Sequence, residues 1–289
     1  MTDPPAWFAE LALTPLGPPW LAMGLNRITE EQWLLPGDER AVELAERHRL
    51  LVDRHAEVFA ALDGTEDAGE EVLALVLAWE RAFRPDLADV PILAGVHPLE
   101  AAGRRTQEDL ALMVRRDGRH HLDAAVLCFP SHWRLREKIG GTATAIHGPV
   151  PGYDPELAPR VDRFLDRLRP DVVVARRNWS VHTSPDLFAP DVPPSQPLAA
   201  GDVGTTLWLR SERQTLRLLP RTDVILFSIR VQQAPFAALA DAPEIAAALA
   251  RRLVAQPSAL TAMNGVGPHF DVVVPWLDAI GDGHPVAVQ

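Results

Sequence analysis

Residues 110–130 read LALMVRR, then Asp117-Gly118, then RHHLDAAVLCFP. Two runs of strand-forming residues joined by Asp-Gly specify a β-hairpin, because Asp-Gly readily supplies the positive φ that a tight turn needs. The middle of the chain is therefore committed to antiparallel sheet. DVILFSIRV (223–231) is the clearest further strand, reached through a turn at Leu219-Pro220, and residues 171–174 and TTLWLR (205–210) read as two more. Each of these segments has too few residues to be a buried helix and is bounded by turn formers.

The flanks follow a different period. Between Val42 and Leu62, the residues Leu44, Leu51, Val52, Val58, Phe59 and Leu62 recur at helical spacing, and Asp63-Gly64 ends that run. EEVLALVLAWERAF (70–83) predicts a second helix, and Pro91 and Pro98 mark a loop after it. Asp154-Pro155-Glu156 supplies an N-cap, a first-turn proline and an early acid to a helix with Leu157, Val161, Phe164, Leu165 and Leu168 on one face. PFAALAD and PEIAAALARRLVAQ, from Pro243, close the chain as helix-like segments. The reading is α+β in one domain over 1–289, with a central antiparallel sheet, a helical N-terminal part (about 1–100) and a helical C-terminal part (about 232–289).

Several function classes drop out. With 28 Lys and Arg against 39 Asp and Glu, the formal net charge is −11 at pH 7, the wrong sign for binding a phosphate backbone. No apolar run approaches the roughly 18 residues that a membrane span requires. The opening MTDPPAWFAELALTPLGPPW lacks a basic stretch followed by an apolar one, so an export signal is not expected and cytoplasmic residence is. Cys128 is the only cysteine, which excludes an internal disulfide, a CxxC motif and a cysteine-ligated cluster. In AAVLCFP it reads as a small buried hydrophobe rather than a thiolate ligand. GxGxxG, Walker A, HExxH and GxSxG are all missing, so a redox role would need electrons from elsewhere.

Of the ten histidines, His48 and His55 are seven residues apart on one helix, roughly 10 Å by its rise, and cannot share an ion. They read as core or boundary residues. His120 and His121 are adjacent in a strand and point to opposite faces. His97, His269 and His284 sit in loop or terminal segments, leaving His132, His147 and His182. His147 stands in IHGPVPGY (146–153), a stretch whose prolines predict neither helix nor central strand. A rigidly presented imidazole suits an axial metal ligand or a catalytic base, and equally a ring that only hydrogen-bonds its own turn.

Two polar clusters border strands. Arg176-Arg177-Asn178-Trp179 follows the strand at 171–174, and period-two alternation puts Arg177 and Trp179 on one face, Arg176 and Asn178 on the other. SERQTLRLLP (211–220) places Glu212, Arg213, Gln214 and Thr215 after an apolar strand, either solvated or lining a pocket. Arg230 shares a face with Val224, Leu226 and Ser228, so it is drawn inward or forms an edge salt bridge.

Five blocks in order resemble the haem-dependent oxidative N-demethylase family: MGLNRITEEQWL (23–34), FPSHWRLREKIG (129–140), IHGPVPGY, RRNWS (176–180) and ERQTLRLLPRTDVILFSIR (212–230). The resemblance runs from about Met23 to Arg230, with no motif anchored beyond. It implies a PAS-like α+β domain holding haem b, and a monooxygenase that removes a methyl group from a small secondary amine of the dimethylamine kind. O₂ and two external electrons would yield a hydroxylated N-methyl carbon, which falls apart to formaldehyde and a primary amine. It further implies a separate flavin and iron–sulfur reductase as electron donor, for which this chain has no motif.

Carried onto these residues, the resemblance implies His147 as the proximal iron ligand, with His182 and His132 as alternatives. Glu212 would contact the amine cation or relay a proton. Arg213 and Arg230 would stabilise haem propionates or an iron-bound oxygen species, and Arg177 would do the same. Trp179 and Trp133 would wall the pocket, and Tyr153 would reach haem through its hydroxyl or cap the loop by packing. Two other readings compete: a non-catalytic haem-PAS gas sensor, for which no output module follows Arg230, and a haem-free small-ligand-binding protein.

Overall fold

The computed structural model describes residues 3–11, 13, 16–17, 23–87, 89–148, 151 and 157–284. Seven antiparallel strands form one sheet: β1 (Asn26–Ile28), β2 (Phe59–Ala61), β3 (Glu108–Arg116), β4 (Arg119–Val126), β5 (Val173–His182), β6 (Trp208–Leu218) and β7 (Ile225–Pro235). Their order across the sheet is β1-β5-β6-β7-β3-β4-β2. The β3–β4 hairpin closes on the Arg116↔Arg119 pair, and Asp117 and Gly118 adopt φ of 50° and 74°, the two positive values a type I′ turn requires.

The helices are α1 (Arg40–Asp53), α2 (His55–Val58), α3 (Glu66–Phe83), α4 (Pro98–Gly103), α5 (Leu135–Lys138), α6 (Ala143–His147), α7 (Ala158–Leu165), α8 (Val203–Thr206), α9 (Pro243–Ala255), α10 (Ser258–Met263) and α11 (Phe270–Gly281). Alternation along the strands gives the sheet two apolar faces, and each is covered. Leu110, Leu112 and Leu226 meet Leu50 and Leu51 of α1, Val72 and Val76 of α3, and Leu99 of α4. On the opposite face, Ala111, Met113 and Ala125 meet Leu135, Ala143, Leu165 and Leu168. A third cluster joins Trp179, Val181 and Leu209 to α9, α11 and the 3₁₀ turn Ala6–Glu10. No helix among the described residues is long and apolar enough to cross a membrane.

The expectation of α+β holds, and four local expectations are corrected. The helix predicted from Val42 to Leu62 ends at Asp53, because Arg54 leaves helical geometry with φ −133°. Its buried face is Glu43, Arg47, Leu50 and Leu51, while Val42 and Val52 are each 73% exposed. Phe59–Ala61, read as the end of that helix, is instead an edge strand paired with Ala124–Val126. β1 and β2 thus bring two strands from the expected helical N-terminal part, and they cover the ladder groups of β5 and β4 that would otherwise be open edges.

SERQTLRL does not follow a strand but is one. Thr205 and Thr206 belong to α8, and β6 begins at Trp208 and runs to Leu218. The C-terminal part holds α10 and α11 beyond the two helix-like segments expected, and PFAALAD is a 3₁₀ turn.

Candidate functional site

A cavity of about 740 Å³ opens where β5 outruns its edge partner. β1 pairs only with Val173–Ala175, and further along the same edge the Val181 N–H donates to the Asn264 carbonyl at 2.8 Å. Between those points the cavity wraps the edge of β5. Side chains from both strand faces reach it: Arg177 and Trp179 from one, Arg176 and Asn178 from the other. The alternation read from sequence is correct, since Arg177 lies opposite Arg213 and Arg176 opposite Gln214. Gly265 seals the far end with φ +80°. A Cβ there would stand 2.2 Å from the Val181 carbonyl oxygen, so the close approach needs glycine.

The wall is mixed. Met23, Leu25, Ile28, Val161, Phe164, Leu165, Leu216 and Phe227 give it an apolar lining on the β1 and α7 sides, and Leu260 and Met263 add to it from α10. Arg176, Arg177, Arg213 and Arg252 bring guanidinium groups, with Glu10 the one carboxylate among the described lining residues. This is an electropositive cavity in a chain of net charge −11.

His147 lines the cavity as the last residue of α6. The expected stiff loop is corrected here. Thr142 caps a short helix by accepting the Ala145 N–H at 3.1 Å, and the helix carries Ile146 and His147 before ending at Gly148. The prolines of the stretch, Pro149 and Pro151, come after these helical residues in the chain. The imidazole Nδ1 lies 2.7 Å from the Ala143 carbonyl oxygen. A carbonyl only accepts, so Nδ1 carries the proton and the lone pair sits on Nε2. His147 is exposed to solvent by surface area, although the protein packed around it partly desolvates the ring. That desolvation lowers its pKa below the ordinary histidine value, against the raising effect of the Ala143 bond. Arg176 and Lys138 lower it further and Glu212 raises it. The imidazole is neutral near pH 7.

Arg177 is buried and fully engaged. Its Nη2 meets Glu10 Oε2 at 2.8 Å, and its Nη1 donates to Ser211 Oγ at 3.0 Å and Gln232 Oε1 at 2.9 Å. Arg213 also lines the cavity but among the described residues is held only by backbone: Nη2 donates to the Gln32 carbonyl at 2.6 Å and Nη1 to that of Trp33 at 3.3 Å. Trp179 is buried beside them.

Other residues singled out from the sequence fall elsewhere. Glu212 lies opposite Asn178 and accepts from Gln214 Nε2 at 3.0 Å, one step behind the cavity lining. Arg230, 1% exposed, is drawn inward as expected, but it pairs with Glu43 at 2.8 Å outside the cavity lining. The rings of His132 and His182 stack on each other at 4.4 Å, also away from the lining, and Trp133 packs in the α5–α7 core. Tyr153 lies outside the described residues. Cys128 is fully buried.

Sequence reasoning did not single out Glu10, Arg252, Gln256 or Asn264. Arg252 had a readable signal, a cation beside the apolar stripe of Ala246, Leu249 and Leu253. Among the described residues no group of three or more His, Cys, Asp or Glu could hold a metal ion.

Residues 80–273 match the family model described as haem-dependent oxidative N-demethylase, alpha subunit-like. The match covers about two thirds of the chain, from within α3 to within α11. It begins after the block at 23–34 and extends beyond Arg230 into the C-terminal helices, where the sequence reading had no anchor.

Proposed function

The chain belongs to the haem-dependent oxidative N-demethylase, alpha subunit-like family, and on that premise we propose that it binds haem b in the cavity at the β5 edge and oxidatively demethylates a small secondary amine. The observation that carries this reading is the His147 Nδ1 bond to the Ala143 carbonyl, which puts the Nε2 lone pair on an imidazole of the cavity wall. The cavity fits the group in two further respects. Its volume is in the roughly 300–1,000 Å³ range of small-molecule and cofactor sites, and its apolar walls and arginines suit a flat hydrophobic ring bearing carboxylates.

When bound, haem would supply the activation of O₂ on which removal of the methyl group depends. The chain's own residues would orient, shield and conduct. His147 would ligate iron as a neutral base whose tautomer is set by the backbone. Trp179, with Phe164 and Leu216, would wall the cavity against water. Arg177, already neutralised by Glu10, would hold one side of the cofactor in place. Glu212, which accepts from the Gln214 amide, would attract the amine cation from behind that residue and act as a proton acceptor near the cavity. Electrons would come from a separate flavin and iron–sulfur reductase.

The test is one absorbance spectrum of the purified chain, as isolated and then reduced under CO. A Soret band that shifts on CO binding is expected, and absence of any haem band after reconstitution would sink the proposal. Formaldehyde release from dimethylamine with a surrogate electron donor then tests the reaction. Haem binding without release from any secondary amine would restrict the protein to binding a gas.

A further inference from the structure

We propose that Arg213 is a carboxylate seat in the cavity wall, an inference that rests on the proposed function and deepens it. Three guanidinium groups stand in one row across the sheet, because Arg177 pairs with Arg213 and Arg213 with Arg230 in the ladders of β5, β6 and β7. The outer two have counter-charges: Glu10 meets Arg177 at 2.8 Å, and Glu43 meets Arg230 at 2.8 Å. Glu108 ends the row opposite Arg230, but it accepts the Leu35 N–H at 2.8 Å and forms no ion pair with Arg213. The middle cation has no carboxylate partner among the described residues.

Arg213 is 6% exposed, and removing a cation from water without a counter-charge is costly. Burial lowers its pKa, Glu108 and Glu10 raise it, and the neighbouring Arg177 charge lowers it again. Two of its nitrogens are anchored by the carbonyls of Gln32 and Trp33, and its Nε–H has no partner among the described residues. Gln32 lines the same cavity, so the guanidinium is fixed in position at the wall. A planar fork held this way matches a carboxylate in both charge and geometry. Glu10 turns its Oε2 to the Nε and Nη2 of Arg177 and forms no ion pair with Arg213 among the described residues.

The carboxylate has two sources, a haem propionate or the carboxylate of an N-methylated amino acid substrate. Two arms separate them. In the first, the full-length chain is titrated with haem and with haem dimethyl ester, following the Soret band. Wild type is expected to bind haem about tenfold or more tightly than the ester, as one good charge-assisted contact implies, and Arg213→Gln to lose that preference while keeping its affinity for the ester. In the second, haem-loaded protein is titrated with N-methylglycine and with dimethylamine. About tenfold preference for the carboxylate-bearing amine, absent in Arg213→Gln, would assign the seat to the substrate.

Equal binding of each pair in wild type overturns the inference and leaves Arg213 a clamp for residues 32–33. Should wild type bind neither haem nor its ester, the proposed function fails by itself. The seat is then judged by thermal shift: N-methylglycine must raise the melting temperature of wild type and not of the variant. Arg213→Lys, which keeps the charge but not the fork, guards against a misfolded Gln variant and is expected to retain only part of the preference.

Discussion

His147 donates its Nδ1 proton to the carbonyl of Ala143, four residues back in its own helix and 2.7 Å away. A five-residue helix thereby fixes both the tautomer and the plane of the one imidazole that the cavity presents among the described residues. His147→Ala is expected to abolish haem retention or to shift the Soret band, and added imidazole to restore the spectrum in part. An unchanged spectrum and haem content would move the ligand elsewhere.

Arg230 is expected to matter for stability rather than chemistry. Its ion pair with Glu43 is buried on both sides, 1% and 9% exposed, so Arg230→Met leaves a carboxylate stranded. Urea unfolding should show a loss of about 3–5 kcal/mol, and the double variant with Glu43→Leu should recover most of it. Normal stability with lost demethylation would return Arg230 to the reaction.

His182 makes the fold acid-sensitive. Burial, with the Arg210 and His132 charges, pushes its pKa down to about 3 from an ordinary value of 6.5. The folded state keeps the ring neutral while the unfolded chain takes up a proton. Stability is therefore full above about pH 6.5 and falls as pH drops towards 3, by about 1.4 kcal/mol per pH unit. Denaturation at pH 7 and pH 5 should show a loss that His182→Phe reduces by about 2 kcal/mol. Equal losses in the two proteins would refute the assignment.

Cys128 should behave as an inert thiol. Burial pushes its pKa up to about 12, although the Arg47 guanidinium pulls the other way. The folded chain is expected not to react with a thiol-specific chromogenic reagent at pH 8, and one thiol should appear on denaturation. Rapid labelling of the native protein would mean that the strand end at 126–128 opens in solution.

What the sequence determined by itself is local. The β3–β4 hairpin follows from Asp117-Gly118, whose positive φ no other arrangement of that stretch supplies as cheaply. α3 follows from its apolar period, and the opposed faces of Arg177 and Arg176 follow from the pleat of β5. β6 was half legible. Its alternation is present, but Ser211, Arg213, Thr215 and Arg217 take the buried positions, so a reading by hydrophobicity places the polar run outside the strand. Those arginines are tolerated inside only because remote carbonyls and carboxylates, such as Glu30 for Arg217, meet them.

The rest was decided by tertiary structure. β1 and β2 are three residues long, too short to show a period, and they are strands only because β5 and β4 offer them ladder edges. The cavity exists because β1 stops at the pair Asn26↔Ala175 while β5 continues. Its walls gather residues from Glu10 to Asn264, a juxtaposition that no local spacing encodes. Whether a buried arginine is a structural tie or a ligand seat depends on where its counter-charge stands. Arg177, Arg213 and Arg230 have the same side chain on adjacent strands, and they differ because Glu10 and Glu43 reach only the outer two.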